Sequence, residues 1–364
     1  MLTYPFTDHF FMNSRLQRRT LSILLVLLLC ASGVLAAQIP ILDLTAKHLP
    51  GQPREIAPVD YVVESGWIEL GEYGNISLVK KRVVSAGHTG RRCAGRSVRR
   101  SALRLPKIGK WISSKSIMIM DAETGRTLFA RAPDSPRQPA STIKVLTGMI
   151  AIKSLKNGER VGVSRHAARM PRSKIYLNTK KQYKADDLIN AVLLASANDA
   201  SVALAEKIAG SEQDFAHMMT LRARLWGATK TICRTATGLT AKGQHSTARD
   251  LATIFRHAMR DSEFARRMHQ VKITTSFGKT LRNHNRALWR IKGAKGGKTG
   301  YTLAARQTYV GKFSRKEGSI IVAIMGSETM WSDIKNLVEY GFLRKRQIAR
   351  LHGGNKATRL ARAD

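Results

Sequence analysis

The sequence is poor in acidic and aromatic residues, and both shortages limit what the protein can bind. It has 25 Asp and Glu against 62 Lys and Arg, which gives a formal net charge of +37 at pH 7. Such a chain readily meets anionic polymers or anionic lipid head groups. Aromatic residues make up only 6% of the sequence, and no nucleic-acid-binding motif occurs. We therefore expect no nucleic acid as a partner. An anionic cell envelope is the other candidate, and the motifs described below suit it better.

Cysteine is also scarce. Three cysteines in 364 residues exclude a disulfide-rich scaffold. No Cys-x-x-Cys or His-x-x-x-His spacing suggests a metal site, and the chemistry predicted below needs no metal and no other cofactor. Cys93 could pair with Cys233 in an oxidising compartment, which the sequence leaves open.

Residues 1–37 have the features of a secretory signal. Three arginines precede the apolar run 21–29, and a small-residue cleavage site follows at residues 34–36. A start at Met12 would give the signal its usual length. The alternative is an uncleaved membrane anchor, for which the apolar run is somewhat short. Both alternatives predict an exported protein in the periplasm or cell envelope, and the second adds membrane association.

Residues 38–106 are interpreted as an N-terminal extension that ends in a basic linker. Between residues 80 and 115 there are twelve Lys and Arg and no Asp or Glu. This composition is typical of a solvated, disordered arm. Two hypotheses remain open for residues 80–115: binding to anionic wall polymer or to a membrane surface, or a spacer without a partner.

The first chemical motif lies in residues 139–144, where Ser141 and Lys144 are three residues apart. On a helix this spacing places both side chains on one face, with Cβ atoms about 5–6 Å apart. A lysine whose pKa is lowered by burial or by a nearby cation can take the proton from a serine hydroxyl. Alone, the pair is a weak signal, because a capping serine followed by a solvated lysine is common.

Two further motifs strengthen the first. Ser196-Ala197-Asn198 begins 55 residues after Ser141, and Lys298-Thr299-Gly300 begins 102 residues after Ser196. Together the three motifs form the set found in penicillin-binding proteins and class A β-lactamases. All three occur here in that order, and together they are a strong signal.

The match extends beyond the motifs. Residues 113–330 resemble the low-molecular-mass penicillin-binding proteins, the D-alanyl-D-alanine carboxypeptidase family. The stretches that carry the resemblance are 120–128, 139–144, 193–206, 237–239 and 246–252. The resemblance implies a DD-peptidase catalytic domain, which we place at residues 107–348, followed by a basic tail at 349–364.

The pattern of predicted elements agrees with the fold that the resemblance implies. We predict a hairpin at 116–120 and 126–130, helices at 186–195, 200–208, 212–226, 248–259 and 332–344, and strands at 299–302, 307–313 and 319–325. Strands at both ends with helices between them indicate an α+β protein. The expected fold is β-lactamase/DD-peptidase-like: an antiparallel sheet flanked by helices, with a mainly helical insert.

The resemblance also implies a role for each motif residue. Ser141 would be the acylated nucleophile and Lys144 its base. Ser196 would relay a proton toward the leaving amine, and Asn198 would hydrogen-bond the substrate amide. The expected reaction is cleavage of the D-Ala-D-Ala terminus, or of D-Ala cross-links, in peptidoglycan stem peptides. β-Lactam antibiotics would act as covalent inhibitors.

The third motif is expected to bind the substrate. Lys298 would lower the pKa of Lys144 and attract the substrate's terminal carboxylate, to which Thr299 would donate a hydrogen bond. Gly300 has no Cβ, so a substrate backbone could lie along the strand edge. The backbone N–H groups of Ser141 and Tyr301 would form the oxyanion hole.

Two alternatives compete with the peptidase. A class A β-lactamase needs a glutamate that activates water, and Glu206, Glu212 and Glu263 lack the expected sequence context. A catalytically impaired wall-binding protein is the other alternative. It draws mild support from Arg306, which stands where the family usually has glycine and which either narrows the site or points to solvent. The sequence does not separate carboxypeptidase from endopeptidase activity.

Overall fold

The computed structural model describes residues 108, 112–156 and 158–360, with side chains through residue 351. The predicted signal at 1–37 and the extension at 38–106 therefore lie outside the described residues. The strands in the described part are β1 (Ser116–Asp121), β2 (Thr127–Arg131), β3 (Arg160–Val161), β4 (Tyr183–Lys184), β5 (Lys272–Thr274), β6 (Thr280–Arg282), β7 (Ala294–Thr302), β8 (Arg306–Arg315) and β9 (Gly318–Ser327).

The helices are α1 (Lys144–Ser154), α2 (Arg165–Arg169), α3 (Ala185–Leu193), α4 (Asn198–Ala209), α5 (Glu212–Leu225), α6 (Ala248–Ala258), α7 (Ser262–His269), α8 (Ala287–Arg290) and α9 (Met330–Leu360). A 3-10 helix, Ala140–Ile143, leads directly into α1. None of the described helices combines the length and the apolar character that a bilayer crossing requires.

The main sheet has five antiparallel strands in the order β2-β1-β9-β8-β7. Its first hairpin and its last three strands come from opposite ends of the domain, and helices α1 to α8 lie between them in the chain. This arrangement confirms the predicted α+β fold. Strand β7, which carries the third motif, is an edge strand, so one row of its backbone groups is not paired within the sheet.

Alternating side chains of the sheet build two cores on its two faces. Met118 and Ala323 belong to the core that also holds the buried faces of α1, α3, α4 and α6. Ile119 and Val322 belong to the second core, which contains Leu337 and its neighbours on α9. Because successive strand residues point to opposite faces, two-sided burial explains why β9 is apolar almost throughout.

Most predicted helix boundaries lie within a few residues of the observed ones. Thr247 caps α6: its side-chain oxygen accepts a hydrogen bond from the N–H of Asp250 at 3.0 Å. The final helix differs, because α9 continues to Leu360 rather than ending near residue 344. Lys345, beyond the predicted end, is anchored by ion pairs to Asp121 and Glu123 near the first hairpin.

Candidate active site

The nucleophile motif lies in the short turn before α1. Ser141 belongs to the 3-10 helix, and Lys144 is the first residue of α1. The preceding Ala140 has a φ of 49°, in the left-handed region that is costly for a residue with a side chain. Gly238 packs against it so closely that a Cβ there would lie 2.0 Å from the Ala140 carbonyl oxygen. The turn is therefore fixed by tertiary packing as well as by local sequence.

Lys144 is completely buried and its amine has three oxygen neighbours. Its Nζ lies 2.9 Å from the Ser141 Oγ, 2.7 Å from the Asn198 Oδ1 and 2.6 Å from the Thr237 carbonyl oxygen. Burial holds the pKa of Lys144 well below its ordinary value, and the nearby charge of Lys298 lowers it further. The negative charges of Glu212 and Asp199 raise the pKa, but burial and Lys298 outweigh them, so the neutral amine that a base requires is favoured.

These three oxygen neighbours also determine which group can donate a proton to the neutral amine of Lys144. A carbonyl oxygen and an amide oxygen only accept hydrogen bonds. A neutral amine has two N–H groups, and these are taken by the Asn198 and Thr237 oxygens. Its lone pair then faces the only neighbour that can donate, the hydroxyl of Ser141. This geometry is suited to proton transfer from Ser141 to Lys144.

The second motif meets the third beside this pair. Ser196 has a φ of 60° and is nearly buried, and its Oγ accepts a hydrogen bond of 2.9 Å from the Nζ of Lys298. Asn198 begins α4, and its Nδ2 donates to the Pro171 carbonyl at 2.9 Å. Asn198 therefore bridges Lys144 and the chain at Pro171, a contact that the sequence did not reveal.

The third motif lies on the edge strand β7. Lys298 is 1% exposed, and burial lowers its pKa to about 7. It reaches inward to Ser196, whereas Thr299, the next residue along the strand, lines the open cleft. Gly300 has a packing reason to lack a side chain, because a Cβ would lie 2.7 Å from the backbone nitrogen of Ser141.

The motifs converge on one cleft of about 1300 Å³. Of the eight predicted site residues, two are lysines buried beneath its floor, Lys144 and Lys298. The remaining six line the cleft: Ser141, Ser196, Asn198, Thr299, Gly300 and Tyr301. Residues separated by up to 160 positions in the chain are thus brought to one place, as the motif order alone had indicated.

Sequence reasoning missed several residues that shape the cleft. Thr237 supplies a backbone oxygen to Lys144, and only the resemblance of residues 237–239 hinted at it. Asp199, directly after the second motif, is fully buried and accepts hydrogen bonds from the N–H groups of Ile175 and Leu177. Asp199 therefore holds the loop that carries one wall of the cleft.

Arg306 and the glutamates take positions away from the cleft. Arg306 is exposed, pairs with Glu328 at 2.6 Å and is not among the cleft-lining residues, which favours the solvent-facing interpretation. Its φ of 54° explains why glycine suits this position. Glu206 bonds to the Ser164 hydroxyl, and no acidic residue lines the cleft in the described part of the chain. The water-activating glutamate of a β-lactamase has no counterpart there.

Cys233 is nearly buried, and burial raises the pKa of its thiol to about 12. It thus lacks the thiolate character of a reactive cysteine. Its suggested partner, Cys93, lies outside the described residues. Among the residues that the structure describes, no cluster of three or more His, Cys, Asp or Glu could hold a metal ion.

Comparison with known proteins agrees with this geometry. A family model described as peptidase S11, D-alanyl-D-alanine carboxypeptidase, matches residues 105–329. The chain is 34% identical over 236 residues to D-alanyl-D-alanine carboxypeptidase DacB2 of Mycobacterium tuberculosis, covering 62% of this chain and 81% of that one. It is 30% identical over 233 residues to DacF of Bacillus subtilis, covering 59% of this chain. The match spans 58% of DacF, less than two thirds of its length.

Solved structures show the same fold. The D-alanyl-D-alanine carboxypeptidase from Mycobacterium tuberculosis H37Rv superposes with a TM-score of 0.62 at 30% identity, covering 67% of this chain and 95% of that one. Penicillin-binding protein D2 from Listeria monocytogenes, solved in an ampicillin-bound form, gives a TM-score of 0.58 at 26% identity. That comparison covers 64% of this chain and 98% of the Listeria protein.

Proposed function

The chain belongs to the D-alanyl-D-alanine carboxypeptidase family, and we propose that it uses Ser141 to cleave the D-Ala-D-Ala terminus of peptidoglycan stem peptides. The family match supports a serine-type carboxypeptidase acting on peptidoglycan. One observation carries the assignment of Ser141: its Oγ lies 2.9 Å from the amine of a fully buried lysine. The lowered pKa of that lysine, caused first by burial, suits it to accept the hydroxyl proton.

In the first step, Lys144 takes the proton of the Ser141 hydroxyl while Oγ bonds to the carbonyl carbon between the two D-alanines. The carbonyl electron pair moves onto its oxygen. The N–H groups of Ser141 and Tyr301 would hold this oxyanion, and one such donor is typically worth about 2.7–4 kcal/mol in the barrier.

In the second step, the C–N bond breaks and the departing D-alanine amine gains the proton that Lys144 took from Ser141, which leaves Lys144 neutral again. Ser196 is suited to relay that proton, because its hydroxyl is hydrogen-bonded to the amine of Lys298 at 2.9 Å. The product is an ester between Ser141 and the penultimate D-alanine. Water then hydrolyses this ester, with Lys144 again available as the base.

The free end of the substrate would be bound by the edge strand. The unpaired edge of β7 can pair with an extended peptide, and Thr299 can donate a hydrogen bond to its terminal carboxylate. Lys298, whose pKa is lowered to about 7 by burial, would be held in its charged form by a carboxylate nearby. These groups explain a preference for a peptide with a free C-terminus.

The test uses the purified exported chain, a stem pentapeptide and a penicillin. We expect release of D-alanine from the pentapeptide, and a mass increase of one penicillin that maps to the Ser141 peptide. Both signals should disappear in Ser141→Ala. A folded protein that neither takes up penicillin nor cleaves any stem peptide or cross-link would overturn the proposal in favour of a wall-binding protein. Rapid penicillin turnover without D-alanine release would indicate a β-lactamase.

The proposed site could act on a terminal D-alanine, as a carboxypeptidase, or on cross-links, as an endopeptidase. The open cleft of about 1300 Å³ is larger than a terminal dipeptide needs. We propose carboxypeptidase action as the main activity, because the edge strand and Thr299 favour a terminal carboxylate. Product analysis on purified muropeptides tests this: loss of D-alanine without loss of cross-links is the expected result.

Because the family acts on the cell wall, the protein is exported and associated with the envelope. We propose that residues 1–37 direct it to the periplasm and are then removed, so that the mature chain begins near Ala37 or Gln38. Sequencing of the mature N-terminus checks this, and an intact apolar run 21–29 would favour a membrane anchor.

We also propose that residues 80–115 bind anionic wall polymer or membrane, based on their twelve cations and lack of acids.

A further inference from the structure

The cleft that contains Ser141 is surrounded by positive charge that the proposed reaction does not use. Besides the motif residues, its lining includes six Lys and Arg, which we call the cationic rim: Arg172, Lys174, Lys279, Arg282, Arg286 and Arg290. They come from two separate regions, the loop between α2 and β4 and the segment from the β5–β6 turn to α8. No Asp or Glu lines the cleft in the part of the chain that the structure describes.

The positive charge of the rim is not neutralised by ion pairs, although nine other Lys and Arg among the described residues do form them. Elsewhere, Arg249 pairs with Asp134 and Arg315 pairs with Glu339. None of the six rim side chains forms an ion pair with any described residue. A concave surface with cations of one sign concentrates field lines and attracts anions. The rim is therefore available to an anionic ligand.

Aromatic rings and backbone contacts hold the rim in position. The ring centre of Tyr176 lies 5.9 Å from the Arg172 guanidinium carbon, 5.4 Å from the Lys174 amine and 5.3 Å from the Lys279 amine. Tyr176 is 55% exposed and has a φ of 61°, so its conformation needs support from its surroundings. Asp199 gives that support by accepting hydrogen bonds from the N–H groups on both sides of Tyr176.

The second region has a similar arrangement. The Arg282 guanidinium carbon lies 5.6 Å from the ring centre of Trp289, which is 42% exposed. Lys279 connects the two regions, because its amine donates a hydrogen bond of 2.8 Å to the Ile175 carbonyl. Cations stacked on aromatic rings lose less side-chain entropy when they bind an anion than free ones do. Both regions of the rim are thus preorganised.

We propose that the cationic rim binds free carboxylates of the stem peptide upstream of the bond that Ser141 cleaves, and so selects acidic over amidated peptides. The inference rests on the proposed function, since it assumes that stem peptides occupy this cleft. The terminal carboxylate already has its partners in Thr299 and Lys298, on β7. The rim belongs to other elements, so it is suited to further carboxylates on the part of the peptide that extends out of the site.

The test compares two pentapeptides that differ in one group. Each ends in D-Ala-D-Ala and contains a γ-linked D-glutamyl residue, with its α-carboxyl group either free or converted to a carboxamide. D-Alanine release gives kcat/KM for each peptide. We expect the free acid to be favoured about ten-fold or more, the effect of one charge-assisted hydrogen bond. The preference should decline between 0.05 and about 1 M NaCl, where screening shortens to about 3 Å.

The rim variant carries Arg282→Gln, Arg286→Gln and Arg290→Gln, whose side chains make no ion pair among the described residues. A matched control loses the same charge at exposed cations outside the cleft, Arg165→Gln, Arg224→Gln and Lys316→Gln. Penicillin titration of Ser141 gives the concentration of competent enzyme in each sample. We expect the ratio of the two kcat/KM values to fall to about one in the rim variant and to stay unchanged in the control.

Each other outcome overturns a different statement. Equal kcat/KM values for both peptides in the unmodified protein would refute the rim proposal and leave the peptidase intact. If the rim variant and the control variant lose the preference for the free acid equally, the preference arises from the overall charge of the protein and not from the rim. No preference between the peptides, together with rim-dependent inhibition by inorganic polyphosphate, would assign the rim to a phosphate polymer instead. Release of D-alanine from neither peptide would refute the proposed function itself. If the triple variant does not fold, Arg290→Gln alone carries the same comparison.

Discussion

Replacement of Asn198 by Asp tests whether Lys144 acts as a neutral base. The substitution changes shape very little but places a carboxylate where the Asn198 Oδ1 now lies, 2.7 Å from the Lys144 Nζ. In the native protein, burial and then the charge of Lys298 hold the pKa of Lys144 low. A carboxylate favours the charged lysine and raises its pKa. Less neutral lysine is then present at any given pH, and the acid limb of the acylation profile moves to higher pH.

The expected magnitude follows from the distance. Two unit charges 2.7 Å apart attract by about 6 kcal/mol at an effective dielectric constant of about 20. The cost of burying the new carboxylate opposes part of this attraction. On the acid limb of the profile, about 1.4 kcal/mol corresponds to a ten-fold change in the neutral fraction of Lys144. Less than half of the attraction therefore lowers the acylation rate on that limb by about a hundred-fold.

The assay follows penicillin acylation of Ser141 by intact mass between pH 5 and 10, with folding checked by circular dichroism. Asn198→Ser is the control, because it removes the amide without adding charge. We expect both variants to acylate more slowly, but only Asn198→Asp to shift the acid limb upward. An unshifted profile and a native rate in a folded Asn198→Asp protein would refute the neutral-lysine mechanism.

Three further predictions concern the base, the cleft wall and the basic segment. Lys144→Arg keeps the charge but cannot deprotonate near neutral pH, so acylation should fall by about 10²–10⁴-fold in a folded protein; near-native acylation would remove Lys144 from the base role. Asp199→Asn weakens the acceptor of the Ile175 and Leu177 N–H groups, so residues 172–177 should exchange amide hydrogens faster, and the domain should lose about 1–3 kcal/mol of stability; unchanged exchange would show that Asp199 does not hold this loop. Deletion of residues 80–106 should lower retention on anionic vesicles at low salt and leave pentapeptide hydrolysis nearly unchanged; full retention would favour the spacer hypothesis.

The sequence predicted local features best where a pattern and its structural cause lie in the same stretch. The first hairpin and the last three strands depend on local alternation and turn chemistry, and the structure confirms them. The end of α9 was predicted too early. The charged residues after residue 344 suggested a solvated tail, but Lys345 pairs with Asp121 and Glu123, more than 220 positions away. Such pairings have no local signature.

In the site, too, local patterns in the sequence were predictable and contacts between distant residues were not. The three motifs and the resemblance to the family named Ser141, Lys144 and the other candidate residues, and the structure brings these residues together. The sequence did not show how Lys298 and Thr299, which alternate along one strand, could both serve one site. The structure answers this, because Lys298 reaches Ser196 from beneath while Thr299 lines the cleft.

By itself, the sequence determined the family, the fold class and the residues that carry the motifs, because these depend on residue type, order and local periodicity. Only the tertiary structure decided how deeply these residues are buried and which groups surround them. Whether Lys144 is a base depends on its complete burial and on the two acceptor oxygens of Asn198 and Thr237 beside it. Whether six scattered cations form one rim depends on loops that Asp199 and Lys279 hold together. Burial and charge proximity arise from residues far apart in the chain, and no local pattern contains them.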